Sequence, residues 1–233
     1  MKKLYLILLV FGFTLLYSCS PEYIPNMANT PMFDEKGEVQ ANLAASVSGT
    51  EIQGAYALTD NIGIMANSSF LNETSDTTDD FHKHSIFEFG VGYFDTFNNY
   101  GRFEVYGGYG TGKIKAYNED LLFDDNISDA TFSKMFIQPS VGMKTNYFDG
   151  NVGARMALVK VDYKQEVEES DESFHAFFEP VVTGRVGIKN IKLVSQLGYS
   201  FPVGGKYAFD TQPFIFSIGL HFRINTINSA SGE

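Results

Sequence analysis

Apolar side chains recur at every second position through ten stretches of this chain, and no stretch sustains a helical period. In the last, Phe214, Phe216, Ile218, Leu220 and Phe222 fall on one face of an extended chain, while Ser217, Gly219, His221 and Arg223 fall on the other. The same division sets Phe87, Phe89, Val91 and Tyr93 against Glu88, Gly90 and Gly92. It also sets Leu193, Leu197, Tyr199 and Phe201 against Val194, Gln196, Gly198 and Ser200. Strands are expected near residues 37–48, 51–58, 62–71, 84–97, 101–117, 131–147, 151–163, 173–189, 191–201 and 212–224. One face is large and aromatic and the other carries charge, so the apolar face is the one suited to contact lipid.

The connections alternate in length. Thr59-Asp60-Asn61, Asn98-Asn99-Tyr100, Phe148-Asp149-Gly150 and Lys189-Asn190 have the chemistry of tight turns, whereas long polar loops follow the third, fifth, seventh and ninth strands. Short turns at one end and long loops at the other predict an all-β fold, a ten-stranded antiparallel up-and-down transmembrane β-barrel. Glycines on the polar side suit a narrow lumen. Pro139 and Pro180 fall on the lipid face of interior strands, where a missing N–H calls for a bulge. A soluble, lipocalin-like barrel with an apolar interior has the same alternation with its faces reversed.

Over residues 37–224 the chain resembles the small outer-membrane β-barrels of Gram-negative bacteria, the OmpA-like and porin-like group. Ser217-x-Gly219-x-x-Phe222-x-Ile224 resembles the signal that the barrel assembly machinery reads on a final strand, and residues 225–233 depart from it by continuing past the last aromatic. The resemblance implies outer-membrane lipid, lipopolysaccharide and that machinery as partners.

Residues 1–18 combine Lys2 and Lys3 with an apolar run from Leu4 to Leu16, the form of a secretory leader. Leu16-Tyr17-Ser18-Cys19 resembles a lipoprotein signal, which implies lipidation of Cys19, the only cysteine in the chain. Pro21, Pro25 and Pro31 disfavour regular structure, so residues 19–36 are expected to form a periplasmic tether, 37–224 the barrel and 225–233 a tail. With an even strand number both termini are expected on the periplasmic side. Removing the leader leaves 15 basic against 28 acidic residues, a formal charge of −13 that excludes nucleic acid as a partner.

Gly107-Gly108-Tyr109-Gly110-Thr111-Gly112-Lys113-Ile114 follows part of a phosphate-loop pattern, yet Ile114 stands where a hydroxyl must hold magnesium and no helix follows. Half of the 28 carboxylates sit in three loops, residues 72–83, 118–130 and 164–173. They read as a repelling rim, or as hard oxygen ligands for Ca2+ or Mg2+, with Asp120, Asp124, Asp125, Glu168 and Glu169 the candidate metal ligands. His82 and His84 lie near Asp79 and Asp80, which invites comparison with ten-stranded omptin-type rim hydrolases, but the opposing partner motif is absent. On the polar faces, Glu104, Lys144, Arg155 and Arg185 form one expected lumen layer and Glu88, Gln138 and Glu179 a higher one. Such charges need partners or water, so they either salt-bridge across the lumen, with Glu104 paired to Lys144 or Arg155, or line a narrow passage. The expected protein is a lipid-anchored outer-membrane barrel, structural or narrow porin-like, without enzymatic activity or a required cofactor. The alternative is a barrel binding a cation or surface partner through its acidic loops.

Overall fold

The computed structural model describes residues 23–74, 81–118, 126–163, 174–204 and 211–226. The leader, Cys19, the candidate metal ligands Asp120, Asp124, Asp125, Glu168 and Glu169, and residues 227–233 lie outside the described residues. Strands β1 (Glu38–Ser46), β2 (Gly49–Ala57), β3 (Ile62–Thr74), β4 (Phe81–Phe97), β5 (Gly101–Asn118), β6 (Asn126–Lys144), β7 (Phe148–Tyr163) and β8 (Phe174–Ile188) follow one another around the sheet. Strands β9 (Ile191–Tyr199) and β10 (Phe201–Val203) form one stave interrupted at Ser200, and β11 (Phe214–Asn225) pairs with both β9 and β1. The result is a closed ten-stranded antiparallel barrel whose seam runs from Glu38↔Asn225 to Ser46↔Ser217.

Alternation sets the faces. Along β4, Phe87, Phe89 and Val91 are exposed on the outer wall, and Glu88, fully buried, projects inward between them. The outer wall carries large apolar groups on every stave, while the interior holds Glu51, Glu88, Lys134, Arg155, Glu179, Arg185 and Lys192. Polarity is thus inverted relative to a water-soluble barrel.

Pro139 and Pro180 are absorbed without a bulge. Both face outward in one row with Ala154, and the β6–β7 ladder lapses there between Ile137↔Met156 and Ser140↔Gly153 while its register stays unchanged. Pro180 lies beside Tyr199, where β9 ends, so a missing N–H donor coincides with the break before β10. The turn expected at Phe148–Gly150 lies instead at residues 145–147. The Thr145 hydroxyl accepts the Phe148 N–H at 2.9 Å, and Asp149 is drawn inside the wall by Lys192 at 2.6 Å. At the other end the strands run further than the sequence pattern indicates. His82 is within β4, and Asp129 is within β6, paired with Lys115 at 3.1 Å. Gly49, at φ +92°, makes the β1–β2 turn that a side chain would strain.

Candidate functional site: a lumen filled by the N-terminal segment

The stretch expected to be a free tether is inside the barrel from residue 23 onward. Residues 23–33 are all buried, with Tyr23 and Phe33 at 0 % exposure, and they run the length of the lumen. Extended, proline-containing chain cannot satisfy its own backbone groups, so inward side chains of the wall do so. The Met27 N–H donates to Glu51 Oε1 at 3.0 Å, and Gln53 Nε2 donates to the Met27 carbonyl at 2.8 Å. Gln196 grips Ala28 from both sides: its Oε1 accepts the Ala28 N–H at 2.8 Å and its Nε2 donates to the Ala28 carbonyl at 2.9 Å. Gln138 donates to the Asn29 carbonyl at 2.7 Å, Arg185 to that of Thr30 at 2.5 Å and Arg155 to that of Asn26 at 2.8 Å. Glu104 accepts the Met32 N–H and Lys144 donates to the Met32 carbonyl, both at 2.8 Å.

Side chains of the segment complete the fit. Asn26 donates to Glu88 at 2.8 Å and accepts from Lys134 at 2.9 Å; Asn29 donates to Asn67 at 2.8 Å. Tyr23 donates to Glu179 at 2.9 Å while its ring stacks on Phe177 and meets Phe132 edge-on. Phe33 packs beside Phe94, against a wall where Gly63 leaves room: a Cβ there would lie 2.7 Å from the Phe33 ring.

Two ionic groups bracket the segment. In the upper one Glu88 contacts Lys134, and Arg155 bridges Glu179 at 2.5 Å and Glu88 at 3.5 Å, so two carboxylates face two cations at nearly zero exposure. In the lower one Lys144 meets Glu38 at 2.8 Å and Asp34 at 3.0 Å, and Arg102 also binds Asp34. The expected pairing of Glu104 with Lys144 or Arg155 is not the one adopted. Glu104 instead binds the Met32 amide and, at 3.0 Å, the Ser140 hydroxyl. Arg155 stands higher than expected, beside Glu88 and Glu179, because β7 starts three residues before the turn-derived boundary.

The segment has a direction. Its Asp34 end lies at the short-turn mouth, against Arg102 near the start of β5, and Lys36 N–H meets Asp60 in the β2–β3 turn at 3.2 Å. At the opposite end Tyr23 bridges Thr211 in parallel and its carbonyl accepts the Gln212 N–H at 3.0 Å, both residues standing just before β11 at the long-loop mouth. Residue 23 and the end of β11 at Asn225 therefore lie at opposite mouths, and the termini themselves, expected on one side, lie outside the described residues.

Lys134, Gln196, Gln53 and Glu51 complete a set that the sequence reading centred on Glu104, Lys144, Arg155, Arg185, Glu88 and Glu179. Lys134 was accessible from pattern alone, four residues before Gln138 on the same face. His84 turns inward and lies 2.6 Å from the Ser48 carbonyl, with His82 at 3.5 Å, so it ties down the β1–β2 turn. Among the described residues no three His, Cys, Asp or Glu side chains converge to hold a metal. No family model and no curated protein matches the chain.

Proposed function

We propose that the protein is an integral outer-membrane barrel, anchored further by lipid on Cys19, that serves as a structural membrane body closed by its own N-terminal segment and has no catalytic role. The observation that carries the reading is the inverted polarity of the closed wall. Val91, Ile137, Val152, Leu197 and Val182 are each about half exposed around the circumference, whereas Glu88, Lys134, Arg155 and Glu179 are enclosed. A continuous apolar belt of this extent is unfavourable in water and suits a hydrocarbon solvent. Tyr93, Phe97, Tyr100, Phe103, Tyr147 and Phe148 are exposed near the short turns, and Phe70, Phe174, Phe178 and Phe201 toward the other mouth. That distribution fits two interfacial aromatic girdles.

The filled lumen favours a structural role over a narrow passage, because ions would have to displace a segment whose carbonyls and amides are already matched by the wall. Outer-membrane lipid, lipopolysaccharide at the long-loop rim and the barrel assembly machinery are the partners this reading requires. Gel migration of membrane-extracted protein before and after heating, combined with planar-bilayer recording, is the test. A compact, faster band that shifts on boiling is expected, with no unitary conductance. Identical migration of the two samples together with recovery in the soluble periplasm would overturn the membrane reading.

A further inference from the structure

The lumen segment has a length and a polarity that bear on where the N-terminal end of the mature chain resides. Ten residue steps separate Tyr23 from Phe33. At the roughly 3.1 Å per residue of extended, proline-containing chain they cover about 31 Å, close to the ~30 Å of a bilayer's hydrocarbon core. The segment leaves β1 at the short-turn mouth and ends at the long-loop mouth, where Tyr23 is fixed by Thr211, Gln212 and Phe177. We infer that the chain crosses the membrane once more through its own lumen, so that the residues before Tyr23 emerge at the long-loop mouth and the acyl chains on Cys19 insert into the outer, surface-facing leaflet. The inference rests on the outer-membrane reading given above.

Cys19 stands four residues before Tyr23. Fully extended, four residues span at most about 14 Å, which cannot return an anchor through a lumen of twice that depth. The wall also favours lateral escape to lipid at this mouth. Strands β1 and β2 have nine residues each, whereas β4, β5 and β6 have 17, 18 and 19, so the rim is lowest on the side of β1 and β2, adjoining the strand β11 that Thr211 precedes. The partner is thus a lipid surface on the same side as the long loops, and the wall's contacts to the backbone and amide groups of the segment hold the crossing chain in place.

The test is surface labelling of intact cells with the full-length, lipidated chain carrying one short epitope at a time: between Ser20 and Pro21, between Gly204 and Gly205, or within the Thr145–Tyr147 turn. An impermeant antibody should label the N-terminal and 204–205 epitopes to the same extent, and the turn epitope only after permeabilisation. A second variant, Ala28→Cys with Val181→Cys, guards against displacement of the segment by the tag, since Ala28 and Val181 belong to one buried cluster with Ile215 and a cross-link between them forms only when the segment is in the lumen. An N-terminal epitope that labels only after permeabilisation, in a cross-linked protein whose 204–205 epitope is surface-labelled, overturns the inference and leaves the membrane barrel standing. Absence of the cross-link in the untagged chain overturns the threaded segment itself. If the 204–205 epitope is also silent in intact cells and the protein is not heat-modifiable, both the inference and the outer-membrane reading fall.

Discussion

Gln196 is the residue on which the lumen segment hangs most directly, because one amide group satisfies both the N–H and the carbonyl of Ala28 at a fully buried position. Gln196→Leu leaves both backbone groups buried without that partner, and each such group costs about 1 to 3 kcal/mol. The urea midpoint in detergent should fall accordingly, and an unchanged midpoint would mean that residue 28 does not occupy this site. Two of the buried glutamates, Glu88 and Glu104, differ in a way that only their partners explain. Glu88 holds Lys134 and Arg155, so Glu88→Gln leaves cations short of a counter-charge and should cost about 3 to 5 kcal/mol. Glu104 accepts an amide on one oxygen and a hydroxyl on the other; a glutamine carbonyl keeps the first while its NH2 can donate to the turned Ser140 hydroxyl, so Glu104→Gln should cost about 1 kcal/mol. Equal losses in parallel unfolding curves would contradict this division of roles.

At the scale of the strand, the outward row is expected to be governed by lipid and the inward row by the segment. Val91 is half exposed on the outer wall and lies between the two girdles, so Val91→Arg should lower refolded stability by about 2 to 4 kcal/mol while Val91→Leu leaves it nearly unchanged. Tolerance of the arginine in lipid vesicles would place that face against water. The strands were legible in the sequence because period-two alternation is a local property, readable in Phe87 to Tyr93 without knowing what lies opposite. Boundaries were less so: residues 126–130 are polar enough to read as loop, yet ladder pairing to β5 extends the strand through them. The turn at residues 145–147 was displaced because Asp149, which resembles a turn residue, has a buried partner in Lys192. The lumen segment was the least legible of all. Prolines and asparagines look like linker composition, and only the wall's glutamines and arginines, distant in sequence, make that chain a core element.

For the whole molecule, deleting residues 23–33 should convert a closed barrel into a conducting one and lower its unfolding temperature, since the wall's ionic groups would then be hydrated across an open lumen. Adding a synthetic peptide of sequence YIPNMANTPMF should restore closure in bilayer recordings. Continued silence of the deletion variant, despite heat-modifiable folding, would show that the wall collapses on itself without the segment. The closed seam between β1 and β11 has a further consequence, in the order of assembly. Residues 23–33, early in the chain, become the axis of a ring that its last strand completes. A thread of this kind is either pushed through a finished ring or enclosed as the ring shuts, and a bore lined to fit a single extended peptide favours enclosure. The β1–β11 edge is therefore the gate of the folding reaction. Its closure must be the final event, and a chain whose edges join early is trapped with its own leading end shut outside.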